Sequence, residues 1–174
     1  MKNLLMMFLT WLFPTLSIPQ TPLLPKIGFS SPVIVAAGDI ACGAENKNQP
    51  CKQTETAQLI EQIKPQAVLA LGDIQYQAGQ LQNFLDFYDK SWGKFKNITY
   101  PVPGNHEYET FKAQGYFGYF KVSPYYSFDL GSWHLIALNS NCYAVGGCQK
   151  GSPQEKWLRE DLASHSNQCT LAYW

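Results

Sequence analysis

The stretch from Ala67 to Tyr76, A-V-L-A-L-G-D-I-Q-Y, constrains this chain more than any other. Five apolar residues run without alternation into Gly72, which predicts a strand buried on both faces, as in a parallel sheet. The run ends in Gly-Asp, with Tyr76 three residues beyond the acid. Val33 to Asp39, V-I-V-A-A-G-D, repeats the pattern earlier in the chain. A third segment, Tyr100 to His106, Y-P-V-P-G-N-H, leaves a short apolar piece and turns through Gly104 into Asn105 and His106. Three strand ends therefore each deliver an oxygen donor: Asp39, Asp73 and Asn105. In open α/β sheets, ligands bind beyond the carboxyl ends of the strands. If the three strands are neighbours, these side chains converge.

Two carboxylates brought that close repel unless one takes a proton or a cation sits between them. Asp, Asn, Tyr and His are all suitable metal ligands or companions of ligands. Each motif taken singly is also ordinary turn chemistry, because Gly accepts positive φ and Asp caps turns. Three in order, each after a strand, favour the metal reading.

Charged residues are sparse, 15% of the chain, against 45% hydrophobic, which predicts a globular domain rather than a disordered one. The formal net charge is zero and no basic run interleaves with aromatics, so no nucleic-acid partner is expected. Lys2 followed by the apolar run Leu4 to Leu16 reads as a secretory signal peptide over residues 1–19. An uncleaved anchor is the competing reading, and no stable membrane anchor is expected. A Pro-rich linker over residues 20–31 leads into a domain spanning 32–174. The expected location is secreted or periplasmic. The cysteines agree with export: Cys42 and Cys51 bracket one polar loop, Cys142 and Cys148 another, which suggests two local disulfides with Cys169 left as a buried thiol. Zinc held through sulfur competes with this, but no C-x-x-C pair exists. Asn97-Ile98-Thr99 is a glycosylation sequon.

Between the strand ends, Thr54 to Ile63 is predicted helical, with Ala57, Ile60 and Ile63 on one face and Pro65 as its stop. Leu81, Phe84, Leu85, Tyr88 and Trp92 have the spacing of one amphipathic helix, ended by Gly93. Glu107 to Phe120 is expected to be irregular, with a helical turn or two over core aromatics. Tyr125 to Leu130 and Trp133 to Asn139 form a hairpin across Gly131-Ser132, a break in the β-α-β rhythm that points to a second sheet or an edge. Ser152-Pro153-Gln154-Glu155 is a capping box opening a helix, Gln154 to Ser164, that buries Trp157, Leu158 and Leu162. Cys169 to Trp174 begins a last strand, with Tyr173 and Trp174 expected to lack packing partners.

G-D-I-A at Gly38 to Ala41, G-D-I-Q-Y at Gly72 to Tyr76 and G-N-H-E at Gly104 to Glu107 together resemble the calcineurin-like metallophosphoesterases. Tyr76, and Ala41 where many members carry His, resemble the purple acid phosphatase branch. W-H-L-I-A-L-N-S and Q-E-K-W-L-R-E-D-L look familial too. The resemblance implies a layered α/β/β/α metallophosphoesterase sandwich whose C-terminal part is missing from this chain. It implies two metal ions, Fe(III) with Zn, Mn or Fe(II). Asp39 would bind the first, Asp73 would bridge both, Tyr76 would bind the first as phenolate and Asn105 would bind the second. His106 would contact the substrate phosphate and assist the leaving group, supported by Glu107. The implied activity is hydrolysis of a small phosphate monoester, of acid phosphatase type. A phosphodiesterase or nucleotidase on the same scaffold, or a non-catalytic secreted remnant, are the alternatives. The family's later metal-binding histidines lie beyond Trp174. His134 and His165 have no metal-site spacing and are read as structural or solvent-facing. The oligomeric state is open.

Overall fold

The computed structural model describes residues 31–43, 51–167 and 169–174. The signal-peptide reading, and all but the last residue of the linker, fall outside them. So do residues 44–50 of the polar loop between Cys42 and Cys51.

Three strands, β1 (Ile34–Ala37), β2 (Ala67–Leu71) and β3 (Thr99–Val102), form a parallel sheet with β2 in the middle. Leu69 lies level with Ala36 on one side and Tyr100 on the other. The unbroken apolar run of β2 has the reason expected, because both faces are covered. Val68 and Ala70 look into one core with Ala57 and Ile60 of helix α1 (Gln53–Ile63), and with Ile74, Phe84, Tyr88, Trp92 and Tyr116. Leu69 and Leu71 look the other way, toward the second sheet. That alternation is the period of two inherent in a strand. β1 is less covered and leaves Val33 exposed.

The second sheet runs β4 (Tyr126–Leu130), β5 (Trp133–Ala137), β6 (Cys169–Tyr173), with the β4–β5 pair antiparallel and β5–β6 parallel. Leu130 pairs with Trp133 across the predicted two-residue turn, where Gly131 has φ 61°. Leu135, Ala137 and Tyr173 pack against Leu69 and Val102 of the first sheet. The other face of β5 carries His134 and Ile136 and is covered from the helix α4 (Pro153–Ser164), whose Asp161 reaches His134. The layers are therefore helix, sheet, sheet, helix, the expected α/β/β/α sandwich.

Four local expectations are corrected. The 81–92 segment is not one α-helix: a single turn, α2 (Leu81–Asn83), passes into a π-helical turn at Phe84–Tyr88, followed by a 3₁₀ segment at Trp92–Ile98 that contains Gly93. The wider turn keeps Phe84 and Tyr88 inward and turns Leu81 and Leu85 out to solvent. Ile63 is likewise exposed at the end of α1. In α4 the buried residue is Gln154, which bonds the Asn139 backbone, while Trp157 and Leu158 are half-buried and Leu162 is exposed; Trp157 packs on Tyr125 and Asp161 meets His134. Finally, Tyr173 does have partners: it is buried between the sheets and its hydroxyl donates to the Tyr100 carbonyl at 3.3 Å. Trp174 is exposed. The 107–120 segment has two 3₁₀ turns and then α3 (Gln114–Phe120), which buries Tyr116 and Tyr119.

Disulfides join Cys42 to Cys51 and Cys142 to Cys148, and Cys169 is a half-buried free thiol. Among the described residues no helix is long and apolar enough to cross a membrane.

Candidate metal centre

Beyond the last residues of β1 and β2 the two chains stay side by side. Ile40 N donates to the Asp73 carbonyl, Ala41 N to that of Ile74, and Tyr76 N to that of Ala41. This pairing sets Asp39 against Asp73. Both have left-handed backbones, φ 52° and 46°, a conformation Asp adopts more readily than most residues and one that concentrates at functional sites. The sequence shows a Gly-Asp turn; the structure puts a positive φ on the Asp in both, and on Gly72 as well in the second.

The third strand end is held by glycine contacts. A Cβ on Gly104 would lie 2.1 Å from Asp73 Oδ1 and 2.3 Å from Asp73 N. A Cβ on Gly72, which has φ 76°, would lie 2.8 Å from the Gly104 Cα. Only two glycines allow the loops after β2 and β3 to touch this closely. The contact brings the His106 amide onto Asp73 Oδ1 at 3.1 Å.

Asp39, Asp73 and Tyr76 meet directly. The Tyr76 hydroxyl donates to Asp39 Oδ1, and lies 3.2 Å from Asp73 Oδ2. Burial first, then the two carboxylates, push the Tyr76 pKa well above its ordinary value. Its proton stands where positive charge is needed between two acids. A cavity of about 380 Å³ opens from this point, lined by Asp39, Asp73, Asn105, Ser140, Asn141 and Trp174. A second of about 580 Å³ lies on the other side of Asp39 and is lined also by Tyr76, Trp92 and His106. Asp39, Asp73 and Asn105 thus border the first cavity, and Tyr76 meets the same two carboxylates from the second. Two carboxylates, a phenol and an amide oxygen are a hard donor set that fits hard or borderline cations.

His106 packs edge-on against Tyr76, with ring centroids 4.6 Å apart. Its Nδ1 lies 2.7 Å from the Gln77 carbonyl and 3.1 Å from Glu109 Oε1. The carboxylate beside His106 is therefore that of Glu109, where the sequence reading had put Glu107. Glu107 turns inward. It is fully buried and accepts from the amides of Ile74 at 2.8 Å, Gln75 at 3.2 Å and Gly104 at 2.8 Å. Burial raises its pKa, and the three amides pull against that rise. It ties the loop after β2 to the loop after β3.

Two further residues went unassigned in the sequence. Asn141 Nδ2 donates to the Pro103 carbonyl at 3.1 Å, and Asn139 Oδ1 accepts from Asn141 N at 3.0 Å. Asn139 Nδ2 also donates to the Tyr108 hydroxyl at 2.7 Å. The end of β5 thereby braces the Pro103-Gly104-Asn105 turn. The only sequence signal was two asparagines just past an apolar strand.

The family model described as calcineurin-like phosphoesterase matches residues 32–172. Among solved structures, a dimetal phosphatase from Danio rerio aligns at 15% identity and a TM-score of 0.38. The alignment covers 79% of this chain and 54% of that one, so this chain spans about half the length of that structure. No curated protein sequence matches. With the family pattern running through nearly the whole described domain, the chain belongs to the calcineurin-like phosphoesterases.

Proposed function

We propose that this chain carries the oxygen-donor side of a dinuclear metal centre that hydrolyses phosphate monoesters, in the manner of the purple acid phosphatase branch. The observation that carries this reading is the meeting of Tyr76, Asp39 and Asp73 at one point, with Asn105 on the shared cavity. Asp39 and Tyr76 would hold a first metal, ferric iron, Asp73 would bridge, and Asn105 would hold a second, zinc, manganese or ferrous iron. Four donors do not saturate two metals, and histidine donors would complete the set. The chemistry a bound metal pair supplies is neutralisation of phosphate charge and activation of the attacking water.

The chain's own residues do the rest. Asp73 is fixed by the His106 amide, so one of its oxygens is held while the other faces Tyr76. To serve as a ligand Tyr76 would give up the proton that now lies toward Asp39, and Asp39, Asp73 and the phenolate would hold the cation in its stead. His106 stands at the mouth of the larger cavity with one ring nitrogen engaged by Gln77 and Glu109, which leaves Nε2 to meet a phosphate oxygen or to protonate a leaving alkoxide. The disulfide at Cys42 lines that same cavity and, with the leader reading, supports a secreted or periplasmic enzyme.

The test is Tyr76→Phe in protein that also carries the histidine donors. A ferric centre with phenolate bonded to it is coloured, and the variant should lose the colour while keeping its fold. Asp73→Asn should lose both metal loading and hydrolysis of an aryl phosphate. His106→Ala should keep its metals and slow turnover by about 10²–10⁴-fold. Full colour in Tyr76→Phe, or unchanged hydrolysis in Asp73→Asn, would refute the proposal.

A further inference from the structure

His134 and His165, far apart in sequence and without metal-site spacing, come together on the outer face of the second sheet. Their rings stack with centroids 3.9 Å apart. His134 is fully buried. Its Nε2 lies 2.7 Å from Asp161 Oδ2, and its Nδ1 lies 2.8 Å from Asp129 Oδ1. Ser127 donates to the other Asp161 oxygen at 2.6 Å. One ligand atom from each of Asp129, His134 and His165 lies within 4.8 Å of the others.

The protons decide what this cluster is. A neutral imidazole has one N–H. If Nε2–H is given to Asp161, Nδ1 presents a lone pair to a carboxylate oxygen at 2.8 Å. Two acceptors this close repel unless a proton lies between them or both open slightly to bind one cation. Among the described residues no Lys or Arg forms an ion pair with Asp129 or Asp161; their ion-pair partners are histidines. The arrangement is also the one metal-binding histidines use: one nitrogen faces the metal, while the other donates to a carboxylate that is itself hydrogen-bonded. Here those parts are Nδ1, Nε2, Asp161 and Ser127.

We propose that Asp129, His134 and His165 form a second metal site, for a zinc-like divalent cation, at the end of β5 remote from the candidate metal centre. The donor set of two imidazoles and one carboxylate is that of a zinc site with a fourth position left for water. His134 and Asn139 are separated by five residues of extended chain, roughly 16 Å, so the two sites are independent. Asp129 and His165 are exposed enough for a cation to enter, at 51% and 33% of their side chains. His165 follows the last turn of α4, and its Nδ1 lies 2.7 Å from the Asp161 carbonyl, which leaves Nε2 as the nitrogen it can offer an ion. A metal here would pin β4, β5 and the C-terminal end of α4 together.

The experiment is equilibrium dialysis of the whole chain against Zn²⁺ with elemental analysis, repeated with Co²⁺ for its visible absorption. His165→Gln, at an exposed position, and Asp129→Asn should each bind one equivalent fewer than the unaltered chain. Both should lose a tetrahedral Co²⁺ band and lose the rise in melting temperature that Zn²⁺ gives. Their melting temperatures in chelator should match the parent, which shows that folding is intact. Asp161→Asn should weaken zinc about 10–100-fold rather than abolish it. Unchanged stoichiometry in both His165→Gln and Asp129→Asn would overturn the site and leave His134 as a protonated clamp between two acids. A loss of colour or loading at Tyr76 and Asp73 bears only on the other centre.

Discussion

Removing the Glu107 carboxylate should loosen the candidate metal centre without touching any metal ligand. The side chain is fully buried and accepts three backbone N–H groups, from Ile74, Gln75 and Gly104. Glu107→Ala leaves all three donors in the interior with no acceptor. Each such orphan costs about 1–3 kcal/mol. The variant also sheds the desolvation cost of a buried anion, several kcal/mol, which offsets part of the loss. The net should be about 3–5 kcal/mol, the cost of three orphaned amides less the recovered desolvation. That is a large part of the total for a domain of this size, about 5–15 kcal/mol. Glu107→Gln keeps the shape and one acceptor oxygen but turns an NH₂ toward backbone donors, so it should fall between the two, at about 1–3 kcal/mol. Urea denaturation followed by tryptophan fluorescence measures both. The order parent, Gln, Ala is the prediction. A loss below about 1 kcal/mol for Glu107→Ala, no larger than an average substitution, would show that the three amides find other acceptors and that Glu107 does not tie the two loops.

Gly104→Ala should destabilise too, by less than Glu107→Ala and from a different cause. Its methyl would sit 2.1 Å from Asp73 Oδ1 and 2.3 Å from Asp73 N, so backbone must move; metal loading should fall, with about 1–3 kcal/mol of stability lost by overpacking, read by the same denaturation and by elemental analysis. Replacing Cys142 and Cys148 together by Ser removes a cross-link with a sequence separation of 6 and should lower stability by about 2 kcal/mol through loop entropy, measured against the parent under oxidising conditions. Burial holds the pKa values of Tyr88, Tyr116, Tyr126 and Tyr173 above the ordinary tyrosine value of 10.0. A folded value above the unfolded one means that the unfolded chain releases these protons first. Their stabilisation is complete below the ordinary value and is lost as pH rises past it. An alkaline titration should therefore show phenolate absorbance rising in one late, cooperative step together with loss of helix by circular dichroism; early, gradual ionisation of these four would contradict the burial.

What could be read from the sequence follows from which forces are local. The strand of Ala67–Leu71 was legible because burial on both faces leaves an uninterrupted apolar run, and the hairpin at Gly131-Ser132 because turn geometry is written in two residues. The π-turn at Phe84–Tyr88 was not, since a 3.6-residue period and a wider turn both place residues i and i+4 on one side; only packing against Tyr119 and Phe120 separates them. Gly104 was visible as a turn residue, yet what it supplies is room for Asp73, a partner 31 positions away. Glu107 and Glu109 share a helical turn and a charge, and no local rule says that the first enters the core while the second meets His106. The same holds for His134, which reads from the sequence as structural or solvent-facing. It is buried instead on the outer face of β5, where α4 brings Asp161 over it and β4 sets Asp129 opposite. Candidate donors that lie at strand ends in one sheet announce themselves by motif. A donor set built across a hairpin and a returning helix is fixed by tertiary packing alone, which is why the first candidate centre can be proposed from the chain while the second proposal needs the fold.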